Sequence, residues 1–234
     1  FCGSGGSPLF SALDMAFLAP QSEYRPTEYM QQWMRLWLDD AARLRLGRLL
    51  LYERARYAER QWQREAGLQA AGVAFPLALR DTLLAAVDKA ASTQELLLAE
   101  ARWAKGLYAL LSKAFKFSFS REEGKNSRAT QADVCNGFLD HGNYIAYGYA
   151  SVALCGLGIS FSLPLLHGKT RRGALVFDLA DVIKDALVMP TAFVSVAAKK
   201  SQKEFREALI ERCQQAEVLD YLFGFLQKLC EKDD

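Results

Sequence analysis

Apolar residues recur at three- and four-residue steps along most of this sequence, and that spacing is typical of one face of an α-helix. The recurrence begins after Pro26 and predicts one long helix that runs to about Ala66. The sequence has no convincing run of the apolar and polar alternation that is typical of strands. The sequence therefore predicts an all-α fold. The further helices are predicted over residues 76–91, 93–117, 131–138, 143–155, 175–189 (ended by Pro190) and 202–231.

The longest stretch without a charged residue runs from Gly142 to Leu166. It is long enough to cross a bilayer, which takes about 20 apolar residues. Gly156, Gly158 and Pro164 would interrupt such a helix where lipid offers no partner for the freed backbone groups. A buried helix followed by a turn is the better interpretation, and no membrane association is predicted.

Composition limits the class of protein. The chain has 234 residues, 51% apolar and 24% charged, with a formal net charge of +2. These values exclude a disordered or collagen-like chain and indicate one large or two small globular domains. The five cysteines form no metal-binding spacing, so we expect reduced, mostly buried thiols in a cytoplasmic protein. No secretory signal peptide is recognised at Phe1.

The first predicted helix is rich in arginine. Arginine holds phosphate oxygens through paired hydrogen bonds, so one interpretation is a stripe that faces a polyanion. The other interpretation is a solvated face with ordinary ion pairs. The residues concerned are Arg35, Arg43, Arg45, Arg48, Arg54, Arg56, Arg60 and Arg64.

The helix predicted after Ser92 carries one charge on its apolar side. A projection at about 100° per residue puts Glu100 in the centre of the arc that also holds Trp103 and Leu107. A carboxylate in that position must be paired, metal-bound or neutralised, because burying it alone costs several kcal/mol. Glu100 is therefore either the partner of a buried arginine or a functional carboxylate.

A second candidate site combines a cationic loop with an acidic helix. The loop residues are His167, Lys169, Arg171 and Arg172, and the helix residues are Asp178, Asp181, Lys184 and Asp185. The aspartates are spaced i, i+3 and i+7, so they share one helix face. Taken alone, such a row is often a solvated edge, and a lone histidine is often structural. With Glu100 they supply mixed nitrogen and oxygen ligands suited to Mn²⁺ or Mg²⁺, and the loop cations would attract a polyanion.

Three segments in order resemble one known family. They are LDHGNYIAYG at 139–148, LHGK at 166–169 and VFDLAD at 176–181. The chain resembles the CRISPR-associated adaptation integrase, CRISPR-associated protein one, a metal-dependent enzyme that inserts spacers. The segment QSEYRPTEY at 21–29 and the loop after His167 resemble the type I-F branch of that family.

The resemblance covers essentially the whole chain and implies a domain organisation. The family has an N-terminal β-rich domain followed by an all-α catalytic domain. By this likeness, residues 1–24 would be a linker or remnant of a β-rich domain that is missing here. Residues 25–234 would be the helical catalytic domain.

The resemblance also implies residue roles. Glu100, His167 and Asp181 match the metal ligands of the family, and Asp178 matches an auxiliary catalytic acid. Residue 177 is a phenylalanine where some relatives carry tyrosine, so this chain lacks a hydroxyl there. The residues expected to line the site or contact nucleic acid are Asn143, Tyr147, Lys169, Arg171, Arg172 and Lys184.

The implied function is insertion of spacer DNA into a CRISPR array by attack of a 3′-OH on a phosphodiester, with Mg²⁺ or Mn²⁺ as cofactor. The implied partners are double-stranded DNA and CRISPR-associated protein two, which in type I-F systems is fused to the helicase–nuclease protein three. The full-length family forms homodimers. The alternative function is a non-catalytic helical scaffold that binds DNA or protein through its arginine-rich helix and its last amphipathic helix.

Overall fold

The computed structural model describes residues 28–124, 129–168 and 173–231, together with the backbone of two short strands nearer the N-terminus. The strands, β1 (Leu9–Phe10) and β2 (Phe17–Leu18), pair antiparallel. Every other regular element in the described part of the chain is helical, which confirms the all-α class. The helices are α1 (Glu28–Leu38), α2 (Asp40–Trp62), α3 (Ala66–Ala70), α4 (Leu77–Lys89), α5 (Thr93–Ala114), α6 (Gln131–Gly156), α7 (Ala174–Ile183), a π-helical segment (Lys184–Val188), α8 (Met189–Ala197), α9 (Gln202–Gln215) and α10 (Val218–Cys230).

The single helix predicted up to Ala66 is wrong, because the chain breaks twice before that residue. Asp39 is extended, and its side chain accepts hydrogen bonds from the backbone N–H groups of Ala41 and Ala42 at 2.9 and 3.2 Å. Glu65 caps α3 in the same way. A carboxylate that satisfies free N–H groups starts a new helix, and apolar spacing does not reveal this.

The two helices predicted over 131–138 and 143–155 are one helix, α6. Gly142 lies inside this helix and does not interrupt it. Its lack of a side chain lets α6 pack closely on the π segment, since a Cβ there would lie 2.3 Å from Cγ1 of Val188. The helix ends at Gly156, and Gly158 turns the chain with a positive φ of 70°. The interpretation of a buried helix followed by a turn is confirmed. Within the described part of the chain, no helix has the length and apolar character that a membrane span requires.

Pro190 does not end the helix predicted over 175–189. It lies at the start of α8, where a missing N–H group is tolerated, and the π-helical segment directly precedes it. The helix predicted over 202–231 is likewise divided into α9 and α10. Glu217 turns the chain between them with φ of 46°, although no glycine or proline marks the break.

The core is built around α7 and the π segment. Both are almost entirely buried, and they pack against α2, α6 and α8. Helix α1 is fixed to the loop before His167 by two indole N–H groups, from Trp33 to the Leu163 carbonyl and from Trp37 to the Pro164 carbonyl. This packing places the helix face with Asp178, Asp181 and Asp185 in the core, next to α2 and α5. The four described cysteines are buried and form no disulfide with one another, as expected.

Candidate active site

Asp178 organises the loop that carries His167. It is 1% exposed, and its carboxylate accepts hydrogen bonds from the backbone N–H groups of Leu165, Leu166 and His167 at 2.6, 3.2 and 3.1 Å. It also contacts Nδ1 of the His167 ring at 2.6 Å. Since Nδ1 is occupied by Asp178, Nε2 is the ring nitrogen left to bind another partner. Burial lowers the pKa of His167, but the bond to Asp178 and the nearby carboxylates outweigh it and raise the pKa above its ordinary value.

Asp181 lies one turn further along α7, between two cations. Nζ of Lys184 is 2.6 Å from its Oδ1, and Nη1 of Arg54 is 3.5 Å from its Oδ2. Burial raises the pKa of this carboxyl, but Lys184 and Arg54 offset that effect and lower the pKa overall. Lys184 also lies over the ring of Tyr147, 5.5 Å from its centre. Asp181 is therefore ionised, which is the form in which a carboxylate binds a metal ion.

Glu100 contacts the same nitrogen of Arg54 as Asp181 does. Its Oε1 is 2.7 Å from Nη1 of Arg54, and its side chain is 17% exposed. The ion pair with a buried arginine, one of the two interpretations of Glu100, is thus present. It does not exclude the other, because Glu100 also faces the pocket that His167 and Asp181 line.

Residues distant in the sequence come together around an open pocket. Of the residues predicted for the site, Asp178 lies behind His167 rather than at the pocket. Lys169, Arg171 and Arg172 lie outside the described residues. Phe177 packs edge-on against the Tyr147 ring at 4.8 Å and borders the His167 ring at 6.1 Å. The predicted residues that line the pocket are Glu100, Asn143, Tyr147, His167, Asp181 and Lys184.

Two residues of the site have roles that the sequence did not reveal. Arg54 belongs to the arginine-rich helix, but it is 3% exposed and contacts three carboxylates, those of Glu100, Asp181 and Asp185. The sequence does contain a sign of this role, because Arg54 lies in an apolar stripe of α2 with Leu50, Leu51 and Ala58. An arginine in such a stripe requires acidic partners. Asp185 was placed on the right helix face without a role.

The donor set fits a divalent ion in its chemistry. Carboxylate oxygens and one imidazole nitrogen suit Mn²⁺ or Mg²⁺. Over residues 28–124, 129–168 and 173–231, however, no three acidic, histidine or cysteine side chains are already arranged to hold one ion. In this structure the Glu100 carboxylate pairs with Arg54, and the Asp181 carboxylate pairs with Lys184 and Arg54.

Comparison with known proteins agrees with the resemblance noted above. The family model described as CRISPR associated protein Cas1 matches residues 15–214. The CRISPR-associated endonuclease Cas1 of Pseudomonas aeruginosa (strain UCBPP-PA14) is 40% identical over 241 residues, covering 99% of this chain and 73% of that relative.

Two solved structures share the fold. A CAS1 protein from Thermotoga maritima aligns with a TM-score of 0.70 and 14% identity, over 92% of this chain and 73% of that one. TtCas1 in complex with DNA aligns with a TM-score of 0.66 and 20% identity, over 96% of this chain and 70% of that one. The match of the family model and the 40% identity decide the assignment, and this chain belongs to the Cas1 family of CRISPR-associated proteins.

Proposed function

We propose that this chain is the catalytic domain, residues 25–234, of a divalent-metal-dependent DNA endonuclease and integrase that inserts spacer DNA into a CRISPR array. The observation that carries the proposal is the convergence of Glu100, His167 and Asp181 on one polar pocket. Membership of the Cas1 family supports the same activity, since the Pseudomonas relative is named an endonuclease.

The three residues that would hold the ion are Glu100, His167 and Asp181, through carboxylate oxygens and Nε2 of the imidazole. The ion, Mg²⁺ or Mn²⁺, supplies stabilisation of the negative charge that develops on phosphate oxygens. Asp178 would not hold the ion itself, because its carboxylate fixes the His167 ring and the preceding backbone. We therefore assign Asp178 to positioning rather than to direct acid catalysis.

The reaction we propose is a phosphoryl transfer. The 3′ oxygen of an incoming DNA end forms a bond to phosphorus of a phosphodiester in the array. The bond from that phosphorus to its original 3′ oxygen breaks, which leaves a free 3′-OH and one new phosphodiester. With water as the nucleophile, the same site cleaves DNA. Lys184 lines the pocket and brings positive charge to the scissile phosphate, and Asn143 offers an amide beside it.

The proposed partner is double-stranded DNA, and the DNA complex of TtCas1 supports it by analogy. We propose that Lys169, Arg171 and Arg172 attract the DNA backbone in a salt-dependent manner with little sequence preference. A cytoplasmic location, a homodimer of the full-length protein and assembly with CRISPR-associated protein two, fused to protein three, belong to the same proposal.

Nuclease assays on the Glu100→Gln and Asp181→Asn variants test the function. Cleavage of double-stranded DNA is measured in Mn²⁺ and in EDTA, and thermal melting monitors the fold. We expect cleavage in Mn²⁺ by the wild type and its loss in both variants. Glu95→Gln is the matched control, because Glu95 is an exposed residue of α5 whose capping bond to the Ala91 N–H a glutamine can replace.

Unchanged cleavage by folded Glu100→Gln would refute the assignment. Tight DNA binding without cleavage by the wild type, equal in Mn²⁺ and EDTA, would favour the non-catalytic scaffold instead.

A further inference from the structure

The guanidinium of Arg54 is held in a fixed orientation by Asp185. Nε of Arg54 is 2.5 Å from Oδ2 of Asp185, and Nη2 is 3.2 Å from Oδ1. Paired hydrogen bonds of this kind fix the plane of the guanidinium as well as its position. The Asp185 carboxylate is 2% exposed at its side chain, so solvent does not compete for it.

Two indole groups hold Asp185 in turn. Nε1 of Trp103 donates to Oδ2 of Asp185 at 2.6 Å, and Nε1 of Trp62 donates to the Asp185 carbonyl oxygen at 2.8 Å. Asp185 lies in the π segment, and single π turns often occur at functional sites. Both carboxylate oxygens are thus engaged, and Asp185 is unsuited to be a metal ligand although it shares a helix face with Asp178 and Asp181.

The orientation of the Arg54 guanidinium decides what its third nitrogen, Nη1, contacts. Nη1 of Arg54 points away from Asp185, towards Oε1 of Glu100 at 2.7 Å and Oδ2 of Asp181 at 3.5 Å. The bond to Glu100 uses one oxygen and leaves Oε2 for another partner. Without Arg54, the carboxylates of Glu100 and Asp185 would lose their cationic partner and repel each other, and Asp181 would keep only Lys184.

We propose that Arg54 and Asp185 are positioning residues, which hold the Glu100 carboxylate in the place and orientation that a divalent ion requires. The inference rests on the proposed function, because it assumes that Glu100 is a metal ligand. Arg54 is the partner that orients the ligand, and Asp185 is the partner that orients Arg54. Partners of metal ligands are known to matter in this way, since their loss weakens metal binding by about 10–100-fold.

The test is a titration of the full chain with Mn²⁺, followed by the electron paramagnetic resonance signal of the free ion. We expect Asp185→Asn, which keeps the shape and one acceptor oxygen, to weaken binding by about 10–100-fold while the protein remains folded. Asp40→Asn is the matched control, because Asp40 is exposed and pairs with Arg43 at 2.6 Å in the same helix as Arg54. Its Mn²⁺ affinity should equal that of the wild type.

A double-mutant cycle separates positioning from general loss of structure. If Asp185 acts through Arg54, the Arg54→Lys and Asp185→Asn double variant loses no more Mn²⁺ affinity than Arg54→Lys alone. Additive losses would overturn the proposal. Should Asp185→Asn fail to fold, Arg54→Lys, which keeps the buried positive charge, carries the test with the same expected loss.

The remaining outcomes also decide. Unchanged or tighter Mn²⁺ binding by folded Asp185→Asn overturns the inference, since tighter binding would mean that Arg54 competes with the ion. If Glu100→Gln weakens Mn²⁺ binding and Asp185→Asn does not, only the inference fails. If Glu100→Gln leaves Mn²⁺ binding unchanged, the proposed metal site fails together with the inference.

Discussion

Replacement of Asp178 by alanine tests the part of the site that is most completely defined. This carboxylate is buried and accepts four hydrogen bonds, three from consecutive backbone N–H groups and one from the His167 ring. In Asp178→Ala all four donors lose their acceptor, because the methyl group of alanine cannot accept a hydrogen bond. The loop before His167 then loses its side-chain anchor on α7, and the backbone hydrogen bond from the Leu175 N–H to the Phe161 carbonyl at 3.1 Å remains.

The expected cost follows from the bonds lost. A hydrogen bond to a charged group contributes about 1.5–3 kcal/mol, and removal of one partner from a buried pair typically costs about 3–5 kcal/mol. The lost bonds do not add fully, because the desolvation cost of Asp178 disappears with the charge. We therefore expect Asp178→Ala to lower the free energy of unfolding by about 3–5 kcal/mol. At about 2–4 °C per kcal/mol for a chain of this size, the melting temperature falls by about 6–20 °C.

The assay is urea-induced unfolding followed by tryptophan fluorescence and circular dichroism. Asp178→Asn keeps an acceptor oxygen and should lose less, about 1–3 kcal/mol. Asp220→Ala, an exposed aspartate in the first turn of α10, is the control and should stay within about 1 kcal/mol of the wild type. If Asp178→Ala is no less stable than Asp220→Ala, the argument that this carboxylate anchors the His167 loop is refuted.

Two further predictions concern packing and protonation. Gly142→Ala should destabilise the chain by about 1–3 kcal/mol, because its Cβ would lie 2.3 Å from Val188. Gly137→Ala in the same helix should stabilise the chain by about 0.5–1 kcal/mol, because no described atom lies within 4 Å of the added Cβ. If the two variants shift the melting temperature in the same direction, the close contact at Gly142 is contradicted. His167 has a raised pKa in the folded chain, so its contribution to stability is fully present below the unfolded-state value of about 6.5 and is lost as pH rises through the folded-state pKa. The stability difference between wild type and His167→Gln should therefore shrink as pH rises from slightly acidic to alkaline, and a difference that grows over that range would show that the sign is wrong.

Helical periodicity predicted much of the site because the site is built on helix faces. The position of Glu100 in an apolar arc followed from spacing alone, and the structure gives it the buried partner that such a position demands. The spacing of Asp178, Asp181 and Asp185 likewise placed them on one face of one helix. Spacing alone does not predict their different contacts, because these depend on neighbours from other elements: the backbone of the His167 loop, Lys184 and the guanidinium of Arg54.

The errors in the predicted fold have a different physical origin. Helix ends depend on local hydrogen bonds, such as those that the backbone N–H groups of Ala41 and Ala42 donate to the Asp39 carboxylate, and apolar spacing continues across them. Glu217 adopts a left-handed conformation that a glycine would have signalled. Pro190 signalled a helix end, but the π segment before it keeps the chain helical. Spacing thus predicts which face is buried, and it does not predict where a helix begins or ends.

The two cations of the site differ in their freedom to change partners. Arg54 is 4% exposed at its side chain and bound through two nitrogens to Asp185, so a move away from the site would leave that buried carboxylate without compensation. Lys184 is 25% exposed at its side chain, has a flexible stem, and forms its ion pair with Asp181 through the single nitrogen Nζ. Separation of Lys184 from Asp181 therefore costs less than separation of Arg54 from Asp185. Under the proposed function, Lys184 is the cation that we expect to turn to a phosphate group in the pocket, and Arg54 is the one that we expect to keep Glu100 in place.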